Sequence, residues 1–146
     1  MKVVVQRVST AKCIVDNKIT GSINKGFMLL VGFTDGDNEE KMQKMAKKIA
    51  GLRIFEDEND KMNLNLSQVN GEILSISQFT LYGNPYEGNR PSFVDAMNPK
   101  DASILYLRFN QILRDDYHFK VEEGIFGAHM DLDIICDGPT TIMLEY

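Results

Sequence analysis

The run EILSI, residues Glu72–Ile76, leads directly into SQFTLYG, residues Ser77–Gly83. The mainly apolar first run predicts a buried strand. In the second run a hydroxyl, an amide and another hydroxyl appear within four residues, at Ser77, Gln78 and Thr80, and a loop rich in turn formers follows. A strand end that carries polar groups before a long loop is a place where a rigid scaffold can hold reactive groups.

The polar side chains of this stretch are hydrogen-bond donors. Ser77 and Thr80 can each donate one O–H, and Gln78 can donate two N–H groups. Together with backbone N–H groups that stop pairing where the strand ends, they could bind a developing oxyanion. They could instead satisfy only local backbone groups at the end of a strand, which is the simpler interpretation. The stretch alone leaves both interpretations open.

Length and composition indicate one globular domain. The chain has 146 residues, of which 43% are hydrophobic and 25% are charged, so we expect a single domain over residues 1–146. No apolar run approaches the ~20 residues of a membrane span, and the first residues lack the pattern of a signal peptide. Cys13 and Cys136 are far apart and form no disulfide or metal-binding pattern. We therefore expect a cytoplasmic protein.

The net charge of −5 argues against a broad electrostatic grip on nucleic acid. A small contact to one end of an RNA is still compatible with this charge, because local patches matter more than the total. One group of lysines in the first predicted helix could form such a patch, but we predict the simpler alternative, a solvated helix surface. The group comprises Lys41, Lys44, Lys47 and Lys48.

Apolar side chains at helical spacing predict two helices. The first is expected to begin at Asp37 as its cap, with Glu39 and Glu40 in the first turn. The second is expected to have Asn98 as its cap and Pro99 at its first position. Their buried faces are predicted to comprise Met42, Met45, Ala46, Ile49 and Leu52 in the first helix, and Ala102, Leu105, Phe109, Ile112 and Leu113 in the second.

The other periodic stretches predict strands, so the expected fold class is α/β in the α+β sense, with two main helices. Phe27–Phe33 is nearly all apolar, as expected of a central strand, and Gly32 within it indicates a bulge or a close backbone approach. Asp16 and Asn17 predict a hairpin turn. The other strands are expected at Val3–Val5 with Val8, Ala11–Val15, Ile19–Ile23, Arg53–Phe55, Met62–Leu66, Glu72–Ile76, Lys120–Glu122, Asp131–Cys136 and Thr141–Leu144, the last two separated by a tight turn at Asp137–Pro139.

Motifs of known chemistry are absent from the sequence. His118 and His129 are the only histidines, and neither has a second His or a Cys at metal-ligand spacing, so we expect no zinc site. Ser77 lacks a G-x-S-x-G elbow, although a triad assembled in space from Ser77 and a histidine stays open. The residues alone predict a mixed domain with a polar strand end and no evident nucleophile, and they identify no substrate.

Four stretches together resemble one protein family. They are RIFEDENDKMNLNL (Arg53–Leu66), SQFTLYG, NRPSF (Asn89–Phe93) and FGAHMDLDIICDGPTTIML (Phe126–Leu144). Each stretch is short, but their order and spacing closely resemble those of the D-aminoacyl-tRNA deacylase family. The resemblance begins at VVQRV (Val4–Val8) and continues to the last strand, so it covers essentially the whole chain.

The resemblance implies an enzyme that hydrolyses the ester of D-aminoacyl-tRNA and removes glycine mischarged on tRNA for alanine. It also implies a mixed, mostly antiparallel sheet in a partial barrel, and a homodimer with active sites at the subunit interface. Neither a metal nor a cofactor is implied, and the substrate end is the 3′-terminal adenosine of tRNA. The implied catalytic residues are Ser77, Gln78 and Thr80, and the implied substrate-binding residues are Phe79, Arg90, Met130, Gly138 and Pro139. Gly138 and Pro139 are expected to form a cis peptide that reaches into the partner's pocket and excludes L side chains.

The sequence departs from the family pattern beside this Gly-Pro pair. Cys136 stands where the family usually has Asn, and Thr140 stands where it commonly has Val. Both changes concern the hydrogen bonding of the turn rather than the class of activity.

Two other functions are open to the residues, a non-catalytic dimer that binds an RNA end and a small-molecule binding domain. The hydrolase is favoured because a pure binder would not need both a polarising cluster and a wall against one enantiomer.

Overall fold

The first strand, β1 (Lys2–Val15), is paired along both of its edges in the computed structural model, which describes residues 1–146. One edge pairs with β2 (Lys18–Ile23) and β3 (Gly26–Gly32), and the other pairs with β8 (Asp131–Glu145), all antiparallel. The sequence predicted β1 as two strands. They form one strand because the polar residues between them sit at irregularities in its pairing with β8 and do not end it.

Three strands then run parallel in the same sheet. β3 pairs with β6 (Glu72–Ser77), and β6 pairs with β7 (Val121–Glu123). Parallel neighbours need long crossover connections, and the two helices lie in these crossovers. The remaining elements are α1 (Glu39–Gly51), β4 (Phe55–Glu56), β5 (Met62–Leu64) and α2 (Pro99–Asp115), and β4 and β5 form a separate hairpin.

The sheet curls towards a barrel because β2 returns to β7. A Cβ atom added at Gly21 of β2 would lie only 2.8 Å from the backbone oxygen of Glu123 in β7. The hairpin that starts this return has Asp16 and Asn17 at φ 49° and 61°, as the predicted turn requires. The expected fold class, a mixed and mostly antiparallel partial barrel with two helices, is confirmed.

The central strand β3 is buried on both faces, as predicted. Phe27, Leu29 and Val31 face the larger apolar core, which also contains the buried faces of both helices. Met28 faces a smaller core on the other side of the sheet, where Leu30 packs against it. In α2 the buried stripe includes Tyr106, while the predicted Leu105 is only half-buried.

Both helix starts use asparagine caps. Asn98 caps α2 as predicted, and its side chain accepts a hydrogen bond from the Asp101 backbone N–H. The prediction of Asp37 as the cap of α1 was wrong, because Asn38 caps that helix. The Asp37 carboxylate is buried and instead binds the amine of Met1 at 2.6 Å. Neither helix is long and apolar enough to cross a membrane.

The last strand was predicted as two strands separated by a turn, but it is one strand with a large bulge. Gln6 pairs with Thr141 while Val8 pairs with Cys136. Asp137–Thr140 therefore stand opposite the single residue Arg7, and the expected cis peptide between Gly138 and Pro139 is present within them. The Gly-Pro pair lies in a bulge and not in a turn, because the segments of β8 before and after it both pair with β1.

Candidate active site

A cavity of about 530 Å³ opens where β3 and β6 end, beside the start of α2. Most of its lining is apolar, and polar groups are few. Mostly apolar concave sites with a few convergent polar groups are typical of small-ligand pockets. The lining comprises Val31, Gly32, Phe33, Ile76, Ser77, Gln78, Phe79, Phe93, Ala96, Met97, Asn98, Pro99, Ala102, Phe126, Gly127, Ala128, His129, Met130 and Leu132.

The predicted polar cluster is split between the cavity wall and its edge. Ser77 and Gln78 line the cavity and are half-buried, whereas Thr80 follows them outside the lining and is exposed. The Gln78 side-chain amide donates to the Thr80 hydroxyl. Because that hydroxyl accepts this hydrogen bond, its own proton is available for a further acceptor.

The backbone at this strand end is partly committed. The Gln78 N–H donates to the Val31 carbonyl at 2.7 Å, so it is not free to bind a ligand. Phe79 and Thr80 begin a short 3₁₀ helix that continues to Tyr82. The first N–H groups of such a helix have no partner inside it. Those of Phe79 and Thr80 are therefore the backbone donors that could serve an oxyanion.

Gly32 brings β3 close to this strand end. A Cβ atom at Gly32 would lie 2.8 Å from the Gln78 backbone oxygen and 3.2 Å from the Leu81 Cβ. The close backbone approach predicted for this glycine is therefore confirmed. Any side chain here would displace the segment that carries Gln78.

Two exposed aromatic rings form one rim of the cavity. Phe79 packs edge-on against Phe93, with ring centroids 5.1 Å apart. Because both rings are exposed, their faces are available for stacking against a planar ligand. Arg90 lies nearby in sequence on an exposed loop and makes no ion pair or hydrogen bond. Met130 also lines the cavity, next to His129.

The bulge that carries Gly138 and Pro139 is not part of this cavity. Both residues are exposed on β8 and neither is among the lining residues. The bulge is held from behind by Arg7, whose guanidinium donates to the Asp137 carbonyl at 3.1 Å and to the Ile54 carbonyl at 2.6 Å. Only 3% of Arg7 is exposed, so a buried charge fixes the base of an exposed loop.

The family to which the chain belongs is found by comparing its sequence with models of known families. The family model described as D-Tyr-tRNA(Tyr) deacylase matches residues 4–145 of the chain. The chain belongs to the D-Tyr-tRNA(Tyr) deacylase family. This confirms the resemblance stated above and the class of enzyme that it implies.

Relatives in this family match over nearly the full length. A D-aminoacyl-tRNA deacylase of Lactobacillus gasseri is 53% identical over 146 residues, with 99% of each chain covered. A D-aminoacyl-tRNA deacylase of Thermotoga petrophila is 50% identical, covering 99% of this chain and 97% of the relative.

Solved structures share the fold. A c-Myc DNA unwinding element binding protein superposes with a TM-score of 0.95 and 38% identity, over 100% of this chain and 99% of that one. A probable eukaryotic D-amino acid tRNA deacylase superposes with a TM-score of 0.81, over 98% of this chain and 97% of that one. At 20% identity the second likeness concerns the fold alone.

Sequence reasoning missed Arg7 as the buried support of the Gly138–Pro139 bulge. The only signal was a positive charge within a run of valines, VVQRV, because a charged residue on a buried strand needs partners. It also missed Phe126 and Ala128, which reach the cavity from a loop after β7. Their approach depends on how the chain returns to the sheet, which local patterns do not record.

Titratable groups are nearly absent from the cavity. His129 is the one titratable side chain in the lining, it is 93% exposed, and its Nε2 lies 3.7 Å from an Asp131 carboxylate oxygen. Behind the cavity, burial raises the pKa of the Tyr106 phenol to about 12, and the hydroxyl donates to the Ser75 carbonyl at 2.7 Å. No group of three or more His, Cys, Asp or Glu side chains is arranged to hold a metal ion.

Proposed function

We propose that the chain hydrolyses the ester of D-aminoacyl-tRNA, and of glycine mischarged on tRNA for alanine, releasing the amino acid and free tRNA. It acts in the cytoplasm as a homodimer, with residues 1–146 as one catalytic domain. The substrate is held by its 3′-terminal adenosine, and no metal or cofactor takes part. The observation that carries this proposal is the cavity at the end of β3 and β6, which combines the Ser77–Gln78 strand end with apolar walls in a chain of this family.

The size and chemistry of the cavity fit an aminoacyl-adenosine end. A volume of about 530 Å³ lies within the range of small-ligand pockets. The aromatic rim of Phe79 and Phe93 offers ring faces and edges to the adenine base. Met130 and the other apolar lining residues suit an amino-acid side chain. Arg90 is exposed and without a partner, which leaves its guanidinium free for the phosphate next to the adenosine.

The reaction needs positioning and polarisation more than a protein nucleophile. A water oxygen attacks the ester carbonyl carbon, and the carbonyl oxygen becomes an oxyanion near the Thr80 hydroxyl and the first N–H groups of the 3₁₀ helix. The bond from carbon to the ribose oxygen then breaks. The neighbouring ribose hydroxyl relays the proton of the water to the leaving ribose oxygen. This assignment suits a cavity whose one titratable residue, His129, is largely exposed.

Chirality is set by the second copy of the chain. Gly138 and Pro139 are exposed, lie outside their own cavity and are fixed from behind by Arg7. From a partner subunit they would present backbone carbonyls that exclude any L side chain, whatever its chemistry. A wall of this kind admits glycine, which has no side chain to exclude. Glycine on tRNA is therefore a substrate under the same geometry.

The outer edge of β8 supports the dimer. β8 pairs with β1 on one edge and with no strand on the other. Ile135 and Met143 on this strand are 57% and 75% exposed. An unpaired edge with exposed apolar side chains is a ready surface for a second chain. It also carries the Gly138–Pro139 bulge, so one contact would bury the edge and deliver the wall.

The deciding experiment compares D-tyrosyl-tRNA with L-tyrosyl-tRNA as substrates of the purified protein, with a chelator present. The proposal expects fast loss of the D ester alone, unchanged by the chelator. Equal loss of both esters would remove the chiral wall. Loss that stops with the chelator would overturn the metal-free mechanism.

Two further outcomes separate the alternatives. If Ser77→Ala abolished turnover and a covalent adduct on Ser77 could be trapped in the unchanged protein, the mechanism without a protein nucleophile would be wrong. If neither ester were lost while nucleic acid still bound, the chain would be a binding module. The name of the DNA unwinding element binding protein, whose fold superposes closely, is the observation that keeps this second function in view.

A further inference from the structure

A second concave site lies on α1, away from the cavity described above. It has a volume of about 350 Å³ and is lined by Lys44, Lys47, Lys48, Gly51 and Tyr146. The three lysines and Gly51 follow the spacing i, i+3, i+4, i+7, so they share one face of the helix. Gly51 completes this face without a side chain, and a Cβ atom added there would meet nothing within 4 Å. The result is an open pocket with three lysines on its walls. Glu40 and, to a smaller extent, Tyr146 raise the pKa of Lys44, so Tyr146 opposes the charge of these lysines.

The charges of this pocket are only partly balanced. Lys44 pairs with Glu40 at 2.6 Å, while Lys47 and Lys48 have no ion-pair partner. Like charges at this spacing repel one another and destabilise a helix slightly. Lys48 gains some compensation from its place in the last turn of the helix, but Lys47 has none. The chain has a net charge of −5, so this cluster of positive charge is a local exception. A bound anion would neutralise the lysines that lack an ion-pair partner.

The pocket lies at the same end of the sheet as the active-site cavity. Tyr146 follows Glu145, Glu145 pairs with Lys2, and Lys2 pairs on its other edge with Gly32, which lines the cavity. Neighbouring strands are about 4.8 Å apart, so the backbone of Tyr146 lies about 10 Å from the cavity wall. A nucleic acid whose 3′ end occupies the cavity can therefore reach this pocket with its nearest phosphates.

We infer that Lys44, Lys47 and Lys48 bind phosphates of the tRNA acceptor stem while the 3′ end occupies the cavity. The inference rests on the proposed function for the identity of the RNA. Because the net charge of the chain is negative, this local contact orients the stem and offsets the long-range repulsion. It assigns a ligand to lysines for which the sequence alone predicted a solvated helix surface. With so few phosphates neutralised, binding stays only mildly salt-sensitive.

The test removes two unpaired lysines and compares them with two others. Lys47→Gln with Lys48→Gln is the test variant. Lys18→Gln with Lys61→Gln is the control, because both of these lysines are also exposed and the change in net charge is the same. Each protein is assayed for kcat/KM on D-tyrosyl-tRNA and on D-tyrosyl-adenosine, which has the reacting ester but no stem. Both assays are repeated between 50 and 200 mM salt.

The inference expects the test variant to lose kcat/KM on the full tRNA and to keep it on D-tyrosyl-adenosine. Its salt slope on tRNA should flatten by about 1.4–1.8, which is two phosphates at 0.7–0.9 each. Equal behaviour of the test and control variants would overturn the inference. So would equal loss on both substrates, which would mean that the lysines act on the fold or on the cavity.

Failure of the proposed function would be visible separately. If the unchanged protein turned over neither substrate, binding of uncharged tRNA would still test the pocket, with loss in the test variant alone supporting it. Unchanged tRNA binding would overturn it. Loss of binding to phosphatidylserine vesicles, with tRNA binding unchanged, would assign the lysines to a lipid surface and also overturn it.

Discussion

The end of β6 and the bulge of β8 carry the two halves of the proposed site, and the chain treats them in opposite ways. Ser77 and Gln78 are half-buried in a cavity that residues of the same chain line. Gly138 and Pro139 are exposed and touch no cavity, yet a buried arginine fixes their base. This contrast supports the proposal that the bulge acts in the site of a second copy of the chain.

The proposed site divides two tasks, polarising the ester and excluding L side chains, between two regions of the molecule. The β6 end holds the groups proposed to polarise the ester, which act on any amino acid. The β8 bulge holds the backbone carbonyls that are proposed to exclude L side chains. If the tasks are separable, substitutions at the first should lower turnover of the D ester, and substitutions at the second should raise turnover of the L ester.

The largest effect is expected at the first half. Thr80→Ala should lower kcat for D-tyrosyl-tRNA about 10²–10³-fold, the cost of losing one donor to an oxyanion. Thr20→Ala, in β2 and outside the cavity lining, is the matched control and should leave kcat unchanged. Unchanged turnover in Thr80→Ala would remove Thr80 from this role and leave the two backbone N–H groups.

A second change targets the bulge. Gly138 has φ 118°, and a Cβ there would lie 2.8 Å from the Thr140 hydroxyl and 3.2 Å from the Arg7 guanidinium. Gly138→Ala should therefore shift the bulge and lower the D-over-L ratio of kcat/KM about 10–100-fold, which corresponds to about 1.4–2.7 kcal/mol in activation free energy.

The control for this change is Gly88→Ala. Gly88 has φ 103°, but a Cβ there would meet nothing within 4 Å. It reproduces the backbone strain on an exposed loop without the contact. A control variant that lost the same selectivity would show that the bulge has no special part in it.

A smaller effect is expected when the support of the bulge is removed. Arg7→Gln leaves the Ile54 and Asp137 carbonyls without their buried donor. The free energy of unfolding in urea should fall by about 1–3 kcal/mol, and the L ester should begin to be hydrolysed. Arg53→Gln, at an exposed arginine, should change stability by less than about 0.5 kcal/mol. Lost stability with intact selectivity would limit Arg7 to a structural role.

The smallest effect should come from the single titratable residue of the cavity. His129→Ala should change kcat only a few-fold, whereas loss of a true general base costs about 10²–10⁴-fold. The pH dependence of kcat between pH 5 and 8 should also be unchanged in this variant. A large loss, or a vanished pH step, would make His129 the base and return catalysis to the protein.

Local chemistry predicted those parts of the fold that local groups determine. The Asn98–Pro99 helix start and the Asp16–Asn17 turn both follow from residues that act on their own backbone. Asp37 was misassigned because its carboxylate is taken by the amine of Met1, a partner 36 positions away in the sequence. No local pattern contains such a partner.

The residues alone predicted only the part of the candidate site that lies within one stretch of the sequence. Ser77, Gln78 and Phe79 share a strand end, so their meeting in one cavity follows from their order. Arg7 and Asp137 meet through pairing of the first and last strands. The bulge forms because the four residues Asp137–Thr140 stand opposite the single residue Arg7. This mismatch depends on the register between β1 and β8, which are far apart in the sequence. Turn formers indicated irregular backbone there but could not choose between a turn and a bulge.

The two edges of β8 should exchange their amide protons at very different rates. Amides that point towards β1 are paired along nearly the whole strand, whereas alternate amides on the outer edge have no strand partner. In deuterated water a lone subunit should therefore show a period-two pattern of slow and fast exchange along this strand. Raising the protein concentration would slow the fast set if that edge joins a second copy, reporting assembly amide by amide without any substrate.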